Sequence, residues 1–268
     1  MKTRMRENKL RSLIRQDELL LGMFLDFPSG DIIEFSAWMG FNWVLIDAEH
    51  VGVNVESCYN LVRAADAVGI ASVIRVPDIR PETVLAYADT GVSGIIGPHI
   101  RSLADAQTLV SGLRFGPLGV RGASAGSRAA NYGFTQSPAE YFAAVDTHPV
   151  AMALLEDVEA YDDALEDIAA LPGIEVLCLG KMDLSISAGV PGQLGHAEVQ
   201  DRVKKAAAAA RRHGKMLNEA VHDAASIASA KATGTRMLVG SAQGLLGVGG
   251  KSFIDTSRAT FAKGNAET

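Results

Sequence analysis

The chain has 268 residues, 48% hydrophobic and 21% charged, which is ample material for one large domain or two ordinary ones and excludes a disordered chain. A formal net charge of −6 offers no broad basic face, so nucleic acid and anionic membrane are poor partners, while a small anionic substrate still fits a local cationic pocket. Two cysteines, Cys58 and Cys178, cannot build a disulfide framework or a zinc cluster and read as reduced core thiols of a cytoplasmic protein. The N-terminal stretch "MKTRMRENKLRSLIRQDELL" is rich in Arg but carries Glu7, Asp17 and Glu18 and no apolar signal core, which predicts an amphipathic helix belonging to the fold. From there one event repeats: a short apolar run, a polar or Gly-rich break, and a helical segment. The apolar runs are "LLLGMFL" (19–25), "WVLID" (43–47), "SVIRV" (72–76), "GIIGP" (94–98), "VAMALLE" (150–156), "EVLCLG" (175–180), "KMLNEA" (215–220) and "RMLVG" (236–240). Uninterrupted Val, Leu and Ile is the signature of a buried parallel strand. Between them lie helical patterns such as "VESCYNLVRAADAVG", "SLADAQTLVSGLR", "DDALEDIAALPG" and "VQDRVKKAAAAARRHG", several ended by Gly.

Eight such units predict an α/β protein with one (β/α)8 TIM barrel over residues 1–268. A doubly wound sheet would carry a G-x-G-x-x-G turn after its first strand, and "FLDFPSGD" is not one. Residues 114–149, "RFGPLGVRGASAGSRAANYGFTQS" through "THP", break the repeat with Gly, Ser, Arg and Asn. A loop this long is expected to be functional, and its place after the fourth strand unit predicts that part of it covers the catalytic face.

Polar residues gather at the predicted strand ends: Asp47 and His50, Arg75, His99, Glu156, Asp183, and Asn218 with Glu219. A barrel interior is packed with apolar side chains, so charges there face the open mouth or pair with one another. Glu156 and Asp183 suit a hard divalent cation, Mg²⁺, Mn²⁺ or Co²⁺, because oxygen ligands come without a thiolate. Arg75 offers a planar fork of donors to a carboxylate or a developing enolate oxygen. His50 is a natural general base if Asp47 orients its ring. His148, His196 and His213 read as surface residues, and Gly122 and Ser124 as backbone donors to a substrate carboxylate.

The segments "GFNWVLIDAEH", "VIRVP", "GVRG", "LLEDVEAYDDALEDIAALPGIEVLCLGKMDLSISAG" and "NKLRSLI" together resemble the HpcH/HpaI aldolase family, the metal-dependent class II pyruvate aldolases. The resemblance implies a carbon–carbon lyase that cleaves or forms 4-hydroxy-2-oxo acids through a pyruvate enolate. It assigns the cation to Glu156 and Asp183, the enolate oxygen to Arg75, and proton transfer to His50 held by Asp47. The substrate is then expected against Arg75, Gly180, Met182, Asp183 and Ser124. Partners would be a keto acid, an aldehyde or keto-acid acceptor, and other copies of the chain in a hexamer or trimer of dimers, with the last helix exchanged between subunits.

The chain departs from that pattern at Lys181 and Met182, where such aldolases commonly read Gly-Pro-x-Asp, and at Leu154 and Ala242, where polar residues are usual. Lys181 adds a cation beside the predicted mouth that favours a dicarboxylate or tricarboxylate. A decarboxylative enzyme that condenses the oxaloacetate enolate with another acid, as in citrate formation in siderophore pathways, is therefore the alternative. A Schiff-base aldolase would have to use Lys181.

Overall fold

The computed structural model of the chain describes residues 7–264. Helix α1 (Lys9–Gln16) precedes eight parallel strands that close on themselves in sequential order, β1 pairing with both β2 and β8. The units are β1 (Leu20–Leu25) with α2 (Gly30–Trp38), β2 (Trp43–Asp47) with α3 (Val55–Val68), β3 (Ala71–Arg75) with α4 (Pro81–Ala88), and β4 (Gly94–Gly97) with α5 (Leu103–Gly112). After α6 (Pro138–Ala143) come β5 (Val150–Leu155) with α7 (Val158–Asp162) and α8 (Leu165–Ala170), and β6 (Ile174–Leu179) with α9 (Lys181–Ser187) and α10 (Ala197–Arg212). The second half closes with β7 (Met216–Ala220), α11 (Ala224–Thr233), β8 (Met237–Ser241) and α12 (Ala242–Gly264). This is the predicted TIM barrel, and each predicted strand falls within one or two residues of the observed one.

Strands form where the apolar runs are continuous because both faces are covered, one by the barrel interior and the other by helices. Leu20, Trp43, Leu45, Val73, Ile96, Met152, Val176 and Met237 belong to the interior, while Met23, Ile46, Ile74, Ile95, Leu155 and Leu177 pack under the helices. The Trp43 ring takes the space opposite Gly22, where an added Cβ would sit 2.1 Å from Trp43 Cε2. Leu10 of α1 plugs the N-terminal end of the barrel beside Gly94. Local capping sets the helix starts: Asn54 accepts from Ser57 N–H, and Ser102 and Asp105 form a reciprocal capping box.

The excursion at 114–149 does not cover the catalytic face of its own chain. Helix α5 has already returned the chain to the N-terminal end of the barrel, and the loop is anchored there. Arg121 pairs with Asp89 just after α4 at 2.7 Å, and Arg128 donates to the Thr90 carbonyl at 2.7 Å and to Asp66 at 2.6 Å. Ser124 is exposed on this excursion, between the anchors Arg121 and Arg128. His148 also departs from expectation: it is 2% exposed, packed edge-on against Phe115 and Tyr141. His196 caps α10, and His213 meets Glu166 at 3.0 Å.

Helix α12 is exposed along almost its whole described length, Leu245, Leu246, Val248, Phe253, Ile254 and Phe261 included. Its start is fixed by Asp26, which accepts from Ser241 Oγ at 2.7 Å and from Gln243 N–H at 2.9 Å. Among the described residues no helix is long and apolar enough to cross a membrane.

Candidate active site at the strand ends

The C-terminal ends of β2 and β3 build the first half of the site. Asp47 and Arg75 are register partners across the two strands, so their side chains leave the same face at the same height. Arg75 donates from Nε to Asp47 Oδ1 at 2.9 Å and from Nη2 to Oδ2 at 2.8 Å, with the carboxylate fully buried. Asp47 Oδ1 also accepts the Glu49 N–H at 3.1 Å. Burial alone would loosen the Arg75 proton, but the bonded Asp47 carboxylate, with Glu49 and Glu156 behind it, holds the guanidinium more firmly charged than usual. Nε and one Nη2–H are engaged with Asp47, which leaves Nη1 for another acceptor.

Asp47 is thus committed to Arg75, and the structure shows no contact from it to His50. The neighbour of the imidazole is Glu49, whose Oε2 lies 3.6 Å from His50 Nε2 and 3.2 Å from Arg75 Nε. The sequence reading gives Glu49 no role. Its alternation with Asp47 in D-x-E was the available signal, although two residues in a tight turn need not share a face.

The second half comes from β5 and β6. Glu156, 3% exposed, follows the last residue of β5. Its Oε1 accepts the backbone N–H of His99 at 2.8 Å, and the His99 ring Nδ1 lies 3.3 Å away. His99 is held there in a left-handed conformation (φ 48°), and its Nδ1 also meets Asp157 at 2.9 Å. Burial pushes the Glu156 carboxyl upward, the His99 backbone and ring draw it down, and the charges of Asp183 and Glu49 push it up again, leaving it raised. His99 is raised in turn: burial opposes its charge, and the Asp157 and Glu156 carboxylates outweigh that opposition.

Asp183 lies exposed in the first turn of α9, within electrostatic reach of Glu156. Gly180 leaves room for the Glu156 side chain, because a Cβ there would stand 2.6 Å from Glu156 Cβ and 3.1 Å from its Oε2. Met182 is 55% exposed in the same turn. Among the described residues no Lys or Arg is ion-paired directly with the buried Glu156 carboxylate, and its neighbours Asp183 and Glu49 repel it, an arrangement that fits a hard divalent cation. Among the described residues no group of three or more His, Cys, Asp or Glu converges as a complete cage, so the chain itself offers an oxygen pair and not an enclosed site.

Two further residues do not join the rim as expected. Asn218 pairs in register with Cys178 of the interior and donates to the Met237 carbonyl at 3.1 Å. Glu219 therefore lies on the opposite, helix-facing side, level with Leu179, where it is 1% exposed and ion-paired with Lys181. Lys181, 12% exposed, is no free cation at the mouth, and its amine is not lodged in an apolar pocket as a Schiff-base nucleophile requires. The pair instead ties the first turn of α9 to β7.

Residues 20–255 match the model of the HpcH/HpaI aldolase/citrate lyase family. A pyruvate aldolase of Rhizobium etli is 28% identical over 74% of this chain and 77% of its own length. A hydroxypyruvate/pyruvate aldolase of Sagittula stellata is 29% identical over 72% of this chain and 75% of its own. Among solved structures, an HpcH/HpaI aldolase/citrate lyase family protein of Burkholderia cenocepacia superposes with a TM-score of 0.87 at 28% identity, covering 94% of this chain and 99% of that one. The citrate synthase SbnG superposes with a TM-score of 0.82 at 27% identity, over 96% of this chain and 100% of that one.

Proposed function

The chain belongs to the HpcH/HpaI aldolase/citrate lyase family, and on that footing we propose that it is a metal-dependent aldolase, a carbon–carbon lyase that forms or cleaves 4-hydroxy-2-oxo acids through the enolate of pyruvate. The observation that carries the reading is the placement of a buried anion, Glu156 after β5, within electrostatic reach of a partly exposed cation, Arg75 ending β3, on one barrel mouth. An anion–cation pair held apart at a site open to solvent suits a keto acid that needs both a cation ligand and a hydrogen-bond donor.

Glu156 and Asp183 would hold a divalent cation, with Mg²⁺, Mn²⁺ and Co²⁺ favoured by an all-oxygen donor set. When bound, that cation supplies positive charge for the oxygens of the keto acid. Arg75 presents its unengaged Nη1 to the oxygen on which charge accumulates during enolisation, and Asp47 keeps the fork from rotating away. His50, 65% exposed at its side chain, has the freedom to take and return a proton at the substrate carbon or the aldehyde oxygen, with Glu49 beside its Nε2. His99 holds Glu156 in place through its backbone N–H. Gly180 and Met182 form the floor against which the keto acid lies. The exposed apolar length of α12 supports exchange of that helix between subunits of a hexamer, and the buried free thiols of Cys58 and Cys178 suit the reducing cytoplasm.

The test needs no knowledge of the aldehyde. With Mg²⁺, Mn²⁺ or Co²⁺ present, the protein should exchange the methyl protons of pyruvate with deuterium from heavy water, followed by NMR, and chelation should stop the exchange. Exchange that persists after exhaustive chelation would sink the metal-dependent reading. The likeness to a citrate synthase favours a second reading, in which oxaloacetate is decarboxylated to the same enolate and added to another acid. Consumption of oxaloacetate without any exchange into pyruvate would put that reading first.

A further inference from the structure

Asp183, the exposed member of the proposed cation pair, makes no hydrogen bond or ion pair of its own among the described residues. Its direction is therefore set by the backbone that carries it, the first turn of α9. That turn starts at Gly180 without a side-chain cap, and three other contacts hold it. The Gly180 N–H donates to the Leu155 carbonyl at 2.9 Å, and the same carbonyl accepts the Tyr161 hydroxyl at 2.9 Å. Leu184 is fully buried in the core under the helices. Lys181, three residues before Leu184 and so on the same helical face, forms its ion pair with Glu219 of β7.

Glu219 has no alternative to that pair. It is 1% exposed, its Oε2 has no hydrogen-bond partner, and Lys181 is its ion-pair partner among the described residues. Separating the two would leave a buried charge uncompensated, which makes the tether tight. Leu184 supplies an apolar contact, about which the turn can still roll; Lys181 supplies a second, directional point. Successive helical residues stand about 100° apart around the axis, so a modest roll of α9 would swing Asp183 away from Glu156.

We propose that Lys181 and Glu219 are positioning residues for the cation site: on the metal-dependent reading above, their pair fixes the roll of α9 so that Asp183 keeps the placement relative to Glu156 that a divalent cation requires. The start of α9 is thereby gripped from both sides, by β5 through the Leu155 carbonyl and by β7 through Glu219. Glu156 follows Leu155 directly, so one grip is common to both carboxylates.

The experiment is titration calorimetry of the full-length protein with Mn²⁺ in the absence of any keto acid. Lys181→Met with Glu219→Leu removes the tether and leaves no buried charge unpaired, so the far-UV spectrum should match wild type. Its Mn²⁺ dissociation constant should rise about tenfold or more, the scale on which groups that orient metal ligands act. Saturating Mn²⁺ should then restore its deuterium exchange into pyruvate, because no group that meets the substrate has been altered. Lys181→Arg, which keeps a cation opposite Glu219, should bind Mn²⁺ as wild type does. Glu219→Gln keeps the volume of the acid and one acceptor oxygen, so it serves where the double variant fails to fold, and its affinity should fall between the two. Wild-type Mn²⁺ affinity in the folded double variant, or in Glu219→Gln if the double variant unfolds, overturns the positioning role and leaves the metal-dependent reading standing. Exchange that stays low at saturating Mn²⁺ also overturns it. A wild-type protein that binds no Mn²⁺ overturns the metal-dependent reading and this inference with it.

Discussion

Asp47 and Arg75 face each other across β2 and β3 as register partners and are joined by two hydrogen bonds, Nε to Oδ1 at 2.9 Å and Nη2 to Oδ2 at 2.8 Å. The acid thereby fixes the orientation of the guanidinium fork before any substrate arrives. Removing it leaves the partly exposed Arg75 with Glu49 at 3.2 Å as its remaining carboxylate, so Asp47→Ala is expected to cost about 1–3 kcal/mol of stability. In a double-mutant cycle on turnover, Asp47 and Arg75 should show a coupling above about 1 kcal/mol, and Asp47 and His50 much less. The reverse pattern would mean that Asp47 serves the imidazole.

His50 itself should be dispensable for assembling the site. His50→Asn is expected to keep pyruvate and metal affinity while turnover falls by about 10²-fold or more, the scale of lost general acid–base catalysis. Metal affinity measured by titration calorimetry separates this from a ligand role, since loss of the cation would make His50 a ligand.

Gly180 is where space, not backbone conformation, is limiting. Gly180→Ala places a methyl group 2.6 Å from Glu156 Cβ, on backbone that cannot swing aside. Overpacking of this kind costs about 1–3 kcal/mol. The expected phenotype is weaker metal binding with the barrel still folded, read as a higher Mn²⁺ concentration for half-maximal exchange and an unchanged far-UV spectrum. Normal Mn²⁺ dependence would show that Glu156 does not need this approach.

Lys181 and Glu219 should behave as a structural pair. Lys181→Met leaves Glu219 buried without its cation and should destabilise the fold by about 3–5 kcal/mol, while Lys181→Met with Glu219→Leu should recover most of that loss. Borohydride added with pyruvate should leave the chain unmodified, as mass spectrometry would show. A pyruvate-derived adduct on Lys181 would reverse this assignment.

Burial and the three guanidinium groups of Arg121, Arg114 and Arg11 lower the His148 imidazole to about 4, against an ordinary 6.5. Its folded value lies below its unfolded value, so the unfolded chain takes up the proton first as pH falls. The stability it contributes is full above about 6.5 and is lost progressively as pH drops towards about 4. His148→Phe should flatten the fall in Tm across that window, because the Phe115 and Tyr141 rings accept an apolar neighbour. An unchanged slope would place the acid sensitivity elsewhere.

The strands were readable because a parallel barrel strand buries both faces, and continuous runs such as "WVLI" have no other comfortable place. The identity of the rim acids was readable for the same reason: a charge directly after such a run must lie at its open end. What sequence order could not supply was the partner of each acid. Asp47 meets Arg75 because of strand register, and Glu219 turns away from the rim because it is one residue out of phase with Asn218. The excursion was assigned to the wrong end of the barrel because "SLADAQTLVSGLR" had already carried the chain back before it began. His148 looked like a turn residue because the sequence alone does not show that Arg11, from the first helix, reaches its carbonyl at 2.9 Å.

Helix α12 carries Gly244, Gly247, Gly249 and Gly250 in its first half, and an added Cβ at the last three would meet nothing within 4 Å in its own chain. Each interior glycine weakens a helix by roughly 1 kcal/mol relative to alanine. A lone segment with four of them is expected to melt in water. Under the proposed exchange of α12 between subunits, its helical state would then be a function of protein concentration. On dilution the far-UV helical signal should decline by the contribution of this one segment while the barrel's near-UV signal stays constant, a transition set by encounter between molecules and not by heat.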